Sequence, residues 1–501
     1  MTKFLFLGLF IVLMIAVGLY SKKKVNDVQD FFLGGRKMGA WISAFAYGTT
    51  YFSAVIFIGY AGKIGWGFGI SSTWIGIGNA VVGSLLAWLV LAKKTRKMTH
   101  DLNASTMPEF FEKRYNSKAM KIVTALVIFI FMVPYSASVY QGLGYLFEQT
   151  FGIPFVYCMA AMALLTAVYL MLGGYVATAL NDFIQGIIML GGILLVIGFT
   201  LSNPAVGGLS QGIAKLSQIP KDGPNLVNIF GGNPVNLFAL VILTSLGTWG
   251  LPQMVHKFYA IKDDAAIKKA TIISTIFATL IAGGCYFIGA FGRLFLDNKV
   301  PLGANGKPNF DMVMPVVLGK ALPESLLGIV IILVLSASMS TLSSLVLVSS
   351  SAISMDLLKG TLIPQMKKET VMLTMRILCA VFVALSFLVA MTPNAIVTLM
   401  SFSWGTVAGA FLAPFIYGLY WKGTTKIGAW AGFVSGIACS VGGAIYFRMD
   451  GKLAPNIGAV AMLVSLVVVP IVSFITSKLP QAHLDKVFGG TLSKQELDLE
   501  T

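Results

Sequence analysis

Long apolar runs alternate with short polar segments along nearly the whole chain, and most runs reach the roughly 20 residues that a helix needs to cross a bilayer. This pattern predicts an all-α polytopic membrane protein with about 13 transmembrane helices. The predicted spans are 3–20, 41–63, 69–92, 119–149, 154–173, 180–202, 235–256, 271–296, 324–357, 373–391, 394–420, 427–447 and 456–477.

Two of the predicted spans carry helix-breaking residues near their centres. The second span contains GTTYFS at 48–53, and the seventh contains GTWGLP at 247–252. Non-helical backbone inside a membrane is tolerated only where it lines a cavity or is buried in protein. Because each interrupted span begins a group of five, the pattern predicts an inverted five-plus-five repeat (LeuT-like) with a broken first helix in each half. The two breaks then point to a binding site.

The ninth span holds a dense series of hydroxyl groups, SASMSTLSSLVLVSSS at 336–351. On a helix, five of them lie close together: Ser336, Ser340, Thr341, Ser343 and Ser344. Neutral oxygens without a carboxylate favour a hard monovalent cation over a divalent one. Helix packing is the alternative explanation, since small residues let helices approach and a hydroxyl can bond to its own helix.

Asp182 is an acid predicted to lie within a span, in GGYVATALNDFIQG at 173–186. Carboxylates at membrane depth are costly and commonly belong to ion pathways. Paired with hydroxyls of the ninth span, Asp182 would supply the charge that a second cation site needs. The alternatives are a carboxylate at the membrane interface or one that caps the helix. His256 and Lys257, at the end of the seventh span, are interpreted as interface anchors.

Composition narrows the protein class. Hydrophobic residues make up 56% of the 501 residues and charged residues 11%, which is too apolar for a soluble protein. We expect one transmembrane domain over residues 1–478, with core repeats at about 41–202 and 235–420, and a short cytoplasmic tail at 479–501.

The net charge of +16 lies mainly in short loops between spans. Lys and Arg cluster in the loops 21–40, 93–118, 257–270, 356–376 and 421–426, whereas the alternate short loops carry almost none. This positive-inside pattern predicts a multi-pass protein of the cytoplasmic membrane with its N-terminus outside and its C-terminus in the cytoplasm. It also argues against nucleic-acid binding.

The sequence does not favour an enzyme. No H-E-x-x-H, Walker or G-x-S-x-G motif occurs, and a membrane-embedded enzyme would need a nucleophile or a metal cluster at depth. We therefore expect no catalytic residues and no organic cofactor. The expected partners are a small-molecule solute and membrane lipid, without nucleic acid and without an obligate protein partner.

Four stretches of the chain resemble those of a known family. They are DFFLGGRKMG (30–39), GGYVATALNDFIQ (173–185), MSTLSSLVLVSSSAISMDL (339–357) and YWKGTTKIGAWAG (420–432). In this order they resemble the sodium:solute symporter family, which includes bacterial sodium/proline, sodium/pantothenate, sodium/sialic acid and sodium/sugar transporters. The resemblance extends from about residue 5 to residue 475. It implies a sodium-coupled symporter that imports a small organic solute by alternating access.

The resemblance also implies two sodium sites. The main site would use backbone carbonyls and hydroxyls of these residues: Thr49, Phe52, Ala337, Ser340 and Thr341. A second site, present in some members of the family, would use these residues: Asp182, Ser340, Ser343 and Ser344. Sodium is then the coupling ion and the only metal.

The solute is less well defined. Tyr51 stands where sodium/proline transporters place an Asp, and Leu251 and Pro252 replace the amides that contact sugars, which disfavours a hexose. Unwound helix ends can offer N–H groups to an anion, so we expect a carboxylate: an amino acid such as proline, pantothenate or a monocarboxylate. The pocket candidates are Tyr51, Ser53, Tyr135, Thr248, Trp249, Gln253 and Trp404. The alternatives are a sugar or sialic acid symporter, or a non-transporting sensor or channel with the same fold.

Overall fold

The computed structural model describes residues 2–22, 32–303, 306–392 and 395–489. Within these ranges the chain is helical, and the extended pairings are isolated bridges such as the one between Met38 and Ile261. The first two residues of the DFFLGGRKMG stretch and residues 490–501 of the predicted tail lie outside the described residues. The prediction of an all-α polytopic fold is confirmed.

The first half of the chain forms ten α-helices among the described residues. They are α1 (Thr2–Lys22), α2 (Ala40–Tyr51), α3 (Ala61–Phe68), α4 (Thr73–Ala80), α5 (Lys93–Asp101), α6 (Met107–Tyr115), α7 (Lys118–Phe151), α8 (Phe155–Ser202), α9 (Leu209–Ser217) and α10 (Gly223–Val227). A π-helical segment, Val55–Tyr60, leads into α3. Two more, Val81–Leu86 and Trp88–Ala92, join α4 to α5.

The second half forms eleven α-helices among the described residues. They are α11 (Pro234–Ser245), α12 (Pro252–Ala260), α13 (Asp264–Ala290), α14 (Gly292–Phe295), α15 (Val313–Ala321), α16 (Leu327–Ser351), α17 (Lys368–Ala390), α18 (Ile396–Tyr420), α19 (Lys426–Tyr446), α20 (Ala454–Ile475) and α21 (Gln481–Gly489). A π-helical segment, Ala352–Leu362, extends α16. Short 3₁₀ turns occur at Leu246–Trp249, Phe310–Met312 and Glu324–Leu326.

Both predicted helix breaks are present. The helix α2 ends at Tyr51, the next residue Phe52 is extended (φ −108, ψ 103), and helical structure resumes at Val55. In the second half, α11 ends at Ser245 and gives way to a 3₁₀ turn, and α12 begins with Pro252 in its first turn. A proline at the start of a helix lacks only an N–H that would have no partner within the helix.

One pair of predicted spans differs from the structure. The spans 154–173 and 180–202 lie, apart from Pro154, within the bounds of a single helix of 48 residues, α8. The junction of the two predicted spans contains Gly173 and Gly174 but no proline. A glycine weakens a helix by only about 1 kcal/mol and does not by itself end one.

The hydroxyl-rich helix α16 lies at the centre of the bundle. The most apolar stretch of α16 and its extension is 89% buried, and that of α18 is 94% buried, whereas α17, α19 and α20 are 33–39% buried. The less buried helices therefore have faces available to lipid. The hydroxyls of α16 instead face other helices of the protein, among them α2, α7 and α8.

Candidate sodium and substrate sites

The break after α2 leaves backbone carbonyl groups without partners in their own helix, because the last turn of any helix has none. The amide of Phe52 still donates to the carbonyl of Gly48 at 3.1 Å. The next two carbonyls, those of Thr49 and Thr50, face α16 instead. Thr341 Oγ1 lies 3.1 Å from the Thr49 oxygen and 3.2 Å from the Thr50 oxygen.

Two hydroxyls of α16 complete this group of oxygens. Ser340 Oγ lies 2.9 Å from the carbonyl oxygen of Thr49 and 3.1 Å from that of Ala337, and Thr341 Oγ1 also lies 3.1 Å from the Ala337 oxygen. All four residues are fully buried.

The structure therefore brings together four of the five residues predicted for the main sodium site. The fifth, Phe52, lies in the break itself and is buried, but its carbonyl makes no hydrogen bond to α16 within the described part of the chain. No ligand residue of this cluster is charged. We call the group of Thr49, Ala337, Ser340 and Thr341 the neutral cluster.

A second polar group lies farther along α16 and does contain charges. Lys257 on α12 places its Nζ 3.0 Å from Ser344 Oγ and 3.9 Å from Asp182 Oδ2 on α8. Both charged side chains are only 1% exposed. Lys257 Nζ also lies 5.2 Å from the centre of the Tyr175 ring, within the range of a cation–π contact. We call Asp182, Lys257 and Ser344 the charged cluster.

This arrangement corrects the interpretation of Lys257 as an interface anchor. His256 and Lys257 are 4% and 1% exposed, so neither side chain reaches the membrane surface. The His256 ring instead packs against Phe32 and Tyr175, with ring centres 4.4 and 4.9 Å apart. The sequence predicted these residues at the end of a span, where a side chain would reach the membrane surface. In the structure, α12 follows the second break and its residues are buried within the protein.

The other residues predicted for the second sodium site have different partners. Ser343 Oγ donates to the carbonyl of Met339 on its own helix at 2.6 Å, and Ser340 belongs to the neutral cluster. Ser344 Oγ lies 2.9 Å from Thr50 Oγ1 in addition to its contact with Lys257. Neither carboxylate oxygen of Asp182 accepts a hydrogen bond from the described residues.

A small cavity adjoins the break after α2. Its lining consists of Tyr51, Phe52, Ser53, Val55, Ile56, Tyr60, Asn79, Tyr135, Thr244, Tyr286, Met400 and Trp404. The volume of about 20 Å³ has room for roughly one water molecule. None of these lining residues carries a formal charge, and six of them are aromatic.

Four of the seven predicted pocket residues line this cavity. Trp404 on α18 stacks on Tyr51 with ring centres 6.2 Å apart and meets the Tyr135 ring edge-on at 5.6 Å. Ser53 lies in the break and accepts a hydrogen bond on its Oγ from the amide of Val55 at 3.2 Å. Aromatic rings from three helical regions therefore enclose the polar backbone of the break.

The other three predicted residues lie away from the cavity lining. Thr248 Oγ1 lies 2.9 Å from the Ser245 carbonyl oxygen, and Trp249 Nε1 donates to the Val82 carbonyl at 2.9 Å. Gln253 is buried, and its side-chain amide has no hydrogen-bond partner within the described ranges. In this structure Thr248 and Trp249 of the second break contact the extension of α4, and the described cavity lining does not include them.

The sequence analysis did not identify several lining residues. Tyr51 donates its hydroxyl to the Thr244 carbonyl at 2.7 Å, and Asn79 Nδ2 donates to Thr244 Oγ1 at 2.9 Å. Asn79 carries the one amide side chain of the predicted span 69–92, and polar residues at membrane depth are commonly functional. That signal could have identified it. Tyr286 and Met400 offered no comparable signal.

The sequence of this chain matches a known protein family. The family model described as "Sodium:solute symporter family" matches residues 31–436. The osmoregulated proline transporter OpuE of Bacillus subtilis is 29% identical over 494 residues, which cover 96% of each chain. A sodium/proline symporter of Staphylococcus aureus is 27% identical over 486 residues, covering 95% of this chain and 92% of its own.

Solved structures show the same fold. A Na⁺-coupled sialic acid symporter in a substrate-bound outward-open state superposes with a TM-score of 0.79 at 18% identity, covering 96% of this chain and 99% of its own. The nucleobase-cation-symport-1 family transporter Mhp1, closed with bromovinylhydantoin bound, gives a TM-score of 0.51 at 14% identity, with 91% and 97% covered. The predicted family, the transporter class and sodium as coupling ion are confirmed. The chain belongs to the sodium:solute symporter family.

Proposed function

We propose that this symporter imports a small carboxylate, with proline as the first candidate, together with sodium bound at the neutral cluster. The observation that carries the proposal is the position of the break after α2. Thr49, in the last turn of α2, belongs to the neutral cluster, whereas Tyr51, Phe52 and Ser53 line the cavity. An ion and a solute on opposite sides of one short segment can each bias its conformation.

The proposed sodium ligands are those predicted from the sequence. The carbonyl oxygens of Thr49, Phe52 and Ala337 and the hydroxyls of Ser340 and Thr341 would give about five neutral oxygens around the ion. Sodium bound there would hold the end of α2 against α16. Its release into the cytoplasm would free that helix end and weaken solute binding, since binding at the two sites is reciprocally linked.

The cavity has room for only about one water molecule here, so solute binding would require it to widen, and its lining suits a small solute with a carboxylate. Helical backbone resumes at Val55, and the partial positive charge at the start of a helix attracts an anion. The first amides of this helix donate to Ser53, so an anion would have to compete with those bonds. The surrounding aromatic rings suit the apolar part of a small ring such as that of proline. The two similar bacterial proteins named above are proline transporters, which makes proline the first candidate.

We also propose the membrane arrangement predicted from the loops. The transporter unit extends to about residue 478, with the N-terminus outside and the C-terminal tail in the cytoplasm of the cytoplasmic membrane. The Lys and Arg clusters in alternate loops support this orientation. Labelling single introduced cysteines with an impermeant reagent in intact cells would test it.

Uptake into proteoliposomes tests the function. Vesicles containing the purified protein would receive an inward sodium gradient and labelled proline, pantothenate, pyruvate, acetate, sialic acid or glucose. We expect sodium-dependent uptake of proline or of another of the carboxylates, and none of glucose. Uptake of glucose alone would overturn the proposed substrate class. Sodium flux in the absence of every solute would indicate a channel instead.

A matched pair of variants tests the ion site. Thr341→Ala removes a hydroxyl of the neutral cluster, whereas Ser338→Ala removes a hydroxyl on the same helix that bonds to the carbonyl of Val334. Thr341→Ala should raise the sodium concentration needed for half-maximal uptake, and Ser338→Ala should leave it close to the wild-type value. Equal sodium dependence in all three proteins would show that sodium binds elsewhere.

A further inference from the structure

The charged cluster already contains a cation. The ammonium group of Lys257 contacts Ser344, carries a charge opposite to that of Asp182, and lies over the Tyr175 ring. These three kinds of contact, to a neutral oxygen, to a carboxylate and to an aromatic face, are ones that a bound monovalent cation also makes. The side chain reaches the position from α12, directly after the second helix break.

The two charges need each other at this depth. Burying an isolated ammonium or carboxylate in a low-dielectric interior costs far more free energy than burying the two groups as a pair. Within the described residues, Asp182 has no hydrogen-bond donor on either oxygen, so Lys257 is its charge partner. The pair separation of 3.9 Å is longer than a direct hydrogen bond, and the Ser344 hydroxyl takes the closer contact with Nζ.

A sodium ion and the ammonium group cannot share this place. Two positive charges within about 4 Å of each other would repel strongly in a medium of low dielectric constant, and one carboxylate could balance only one of them. Ser344 and Asp182, two of the residues predicted for a second sodium site, are the residues that Lys257 contacts. Occupation by the lysine therefore excludes occupation by the ion.

We propose that the ammonium group of Lys257 serves as a built-in cation between Asp182 and Ser344, so that this symporter binds one sodium ion instead of two. The inference rests on the proposed function, because the remaining sodium ion is the one at the neutral cluster. Thr50 connects the two positions. Its carbonyl lies 3.2 Å from Thr341 Oγ1 and its hydroxyl lies 2.9 Å from Ser344 Oγ.

The number of sodium ions bound per protein tests the proposal directly. Equilibrium binding of ²²Na⁺ to the purified full-length protein needs no knowledge of the solute. We expect one ion per wild-type chain and two per Lys257→Met chain, because the variant frees the carboxylate of Asp182. The double variant Lys257→Met/Asp182→Asn should return to one. A lysine that only stabilises the fold would not change the count.

Matched variants separate this inference from the proposed function. Lys262→Met, which removes a half-exposed lysine five residues away, should bind one ion like the wild type. Thr341→Ala should lose the ion of the neutral cluster. Two ions per wild-type chain would overturn the inference alone, and no ion in the wild type would overturn the main sodium site as well.

Thermal unfolding covers the case in which Lys257→Met folds poorly. Its unfolding temperature should rise more steeply with sodium concentration than that of the wild type, since sodium replaces the lost charge. The double variant, which buries no unpaired charge, should unfold at a higher temperature than Lys257→Met when choline replaces sodium. A folded Lys257→Met that binds one ion, or a double variant no more stable than the single one, would contradict the proposal.

Discussion

The neutral cluster and the charged cluster both include hydroxyls of α16, but the neutral cluster contains no charged group whereas the charged cluster contains a lysine and an aspartate. In the neutral cluster, Ser340 and Thr341 turn toward carbonyl oxygens that a broken helix leaves free. In the charged cluster, Ser344 lies against an ammonium group that belongs to the protein. As a sodium site, the neutral cluster would accept and release an ion, whereas a lysine can only move within the reach of its side chain.

The largest effect should come from breaking the charged cluster in the absence of sodium. Lys257→Met leaves Asp182 buried without a partner, and loss of one member of a buried pair costs about 3–5 kcal/mol. Thermal unfolding in choline buffer should show this loss. A variant as stable as the wild type in choline would mean that Asp182 is not charged in the folded protein.

The next largest effect should come from the neutral cluster. Thr341→Ala removes a hydroxyl that would contact the ion, and such a contact is worth about 1.5–3 kcal/mol. Half-maximal uptake should then need roughly 10- to 100-fold more sodium. An unchanged sodium concentration at half-maximal uptake, together with a changed number of bound sodium ions at the charged cluster, would contradict the assignment of the ion site to the neutral cluster.

A smaller effect should appear for the solute alone. Trp404→Phe keeps an aromatic ring beside Tyr51 but reduces its contact area, which is worth about 0.5–1.5 kcal/mol. The KM for the solute should rise roughly 2- to 10-fold with little change in sodium dependence. If the sodium dependence changed more than the KM, Trp404 would act through the neutral cluster rather than through the cavity.

A further effect, seen in the pH dependence of stability, should come from a buried carboxylate that lies outside the spans. Asp311 accepts a hydrogen bond from the amide of Ile396 at 3.1 Å. Burial raises its pKa from 3.8 to about 6, against the opposing effects of that amide and of Lys63. The folded state therefore holds its proton more tightly, so the stability from this group is full below pH 3.8 and declines as the pH rises through about 6.

Asp311→Asn should flatten this dependence. Unfolding temperatures of the wild type and the variant, measured between about pH 4 and pH 7, should diverge in slope. A wild-type profile that rose with pH over that window, and matched the variant, would contradict the assignment. The contrast with Asp182 is informative, because Asp311 accepts a hydrogen bond from a backbone amide whereas neither oxygen of Asp182 accepts one from the described residues.

Much of the fold could be predicted because membrane burial imposes simple rules on sequence. Apolar length gave the spans, and the glycines and Pro252 gave the breaks. The continuity of α8 could not be predicted, since a glycine pair is compatible with both a turn and a helix. The hydroxyl stripe predicted the helix of the neutral cluster, but only the resemblance to the family supplied the carbonyl partner Thr49.

The contact of Lys257 with Asp182 and Ser344 could not be predicted from the sequence. Lys257 follows an apolar segment, and a lysine at the end of a span usually anchors at the interface. Its burial depends on how α12 packs against α8 and α16, which is a contact between segments about 75 to 90 residues apart in the chain. The partners of Thr248 and Trp249 are also distant in the chain, since they lie in the extension of α4.

Because Lys257 is covalently part of the chain and cannot cross the membrane as a free ion, it limits the solute concentration ratio that this symporter can maintain. A cation that returns with the empty carrier performs no electrical or osmotic work, so a single free ion drives each solute molecule. At 100 mV and a tenfold sodium ratio, one ion supplies about 3.7 kcal/mol, enough for a concentration ratio of roughly 500. Two ions would square that ratio, and would also double the sodium that the cell must pump out again.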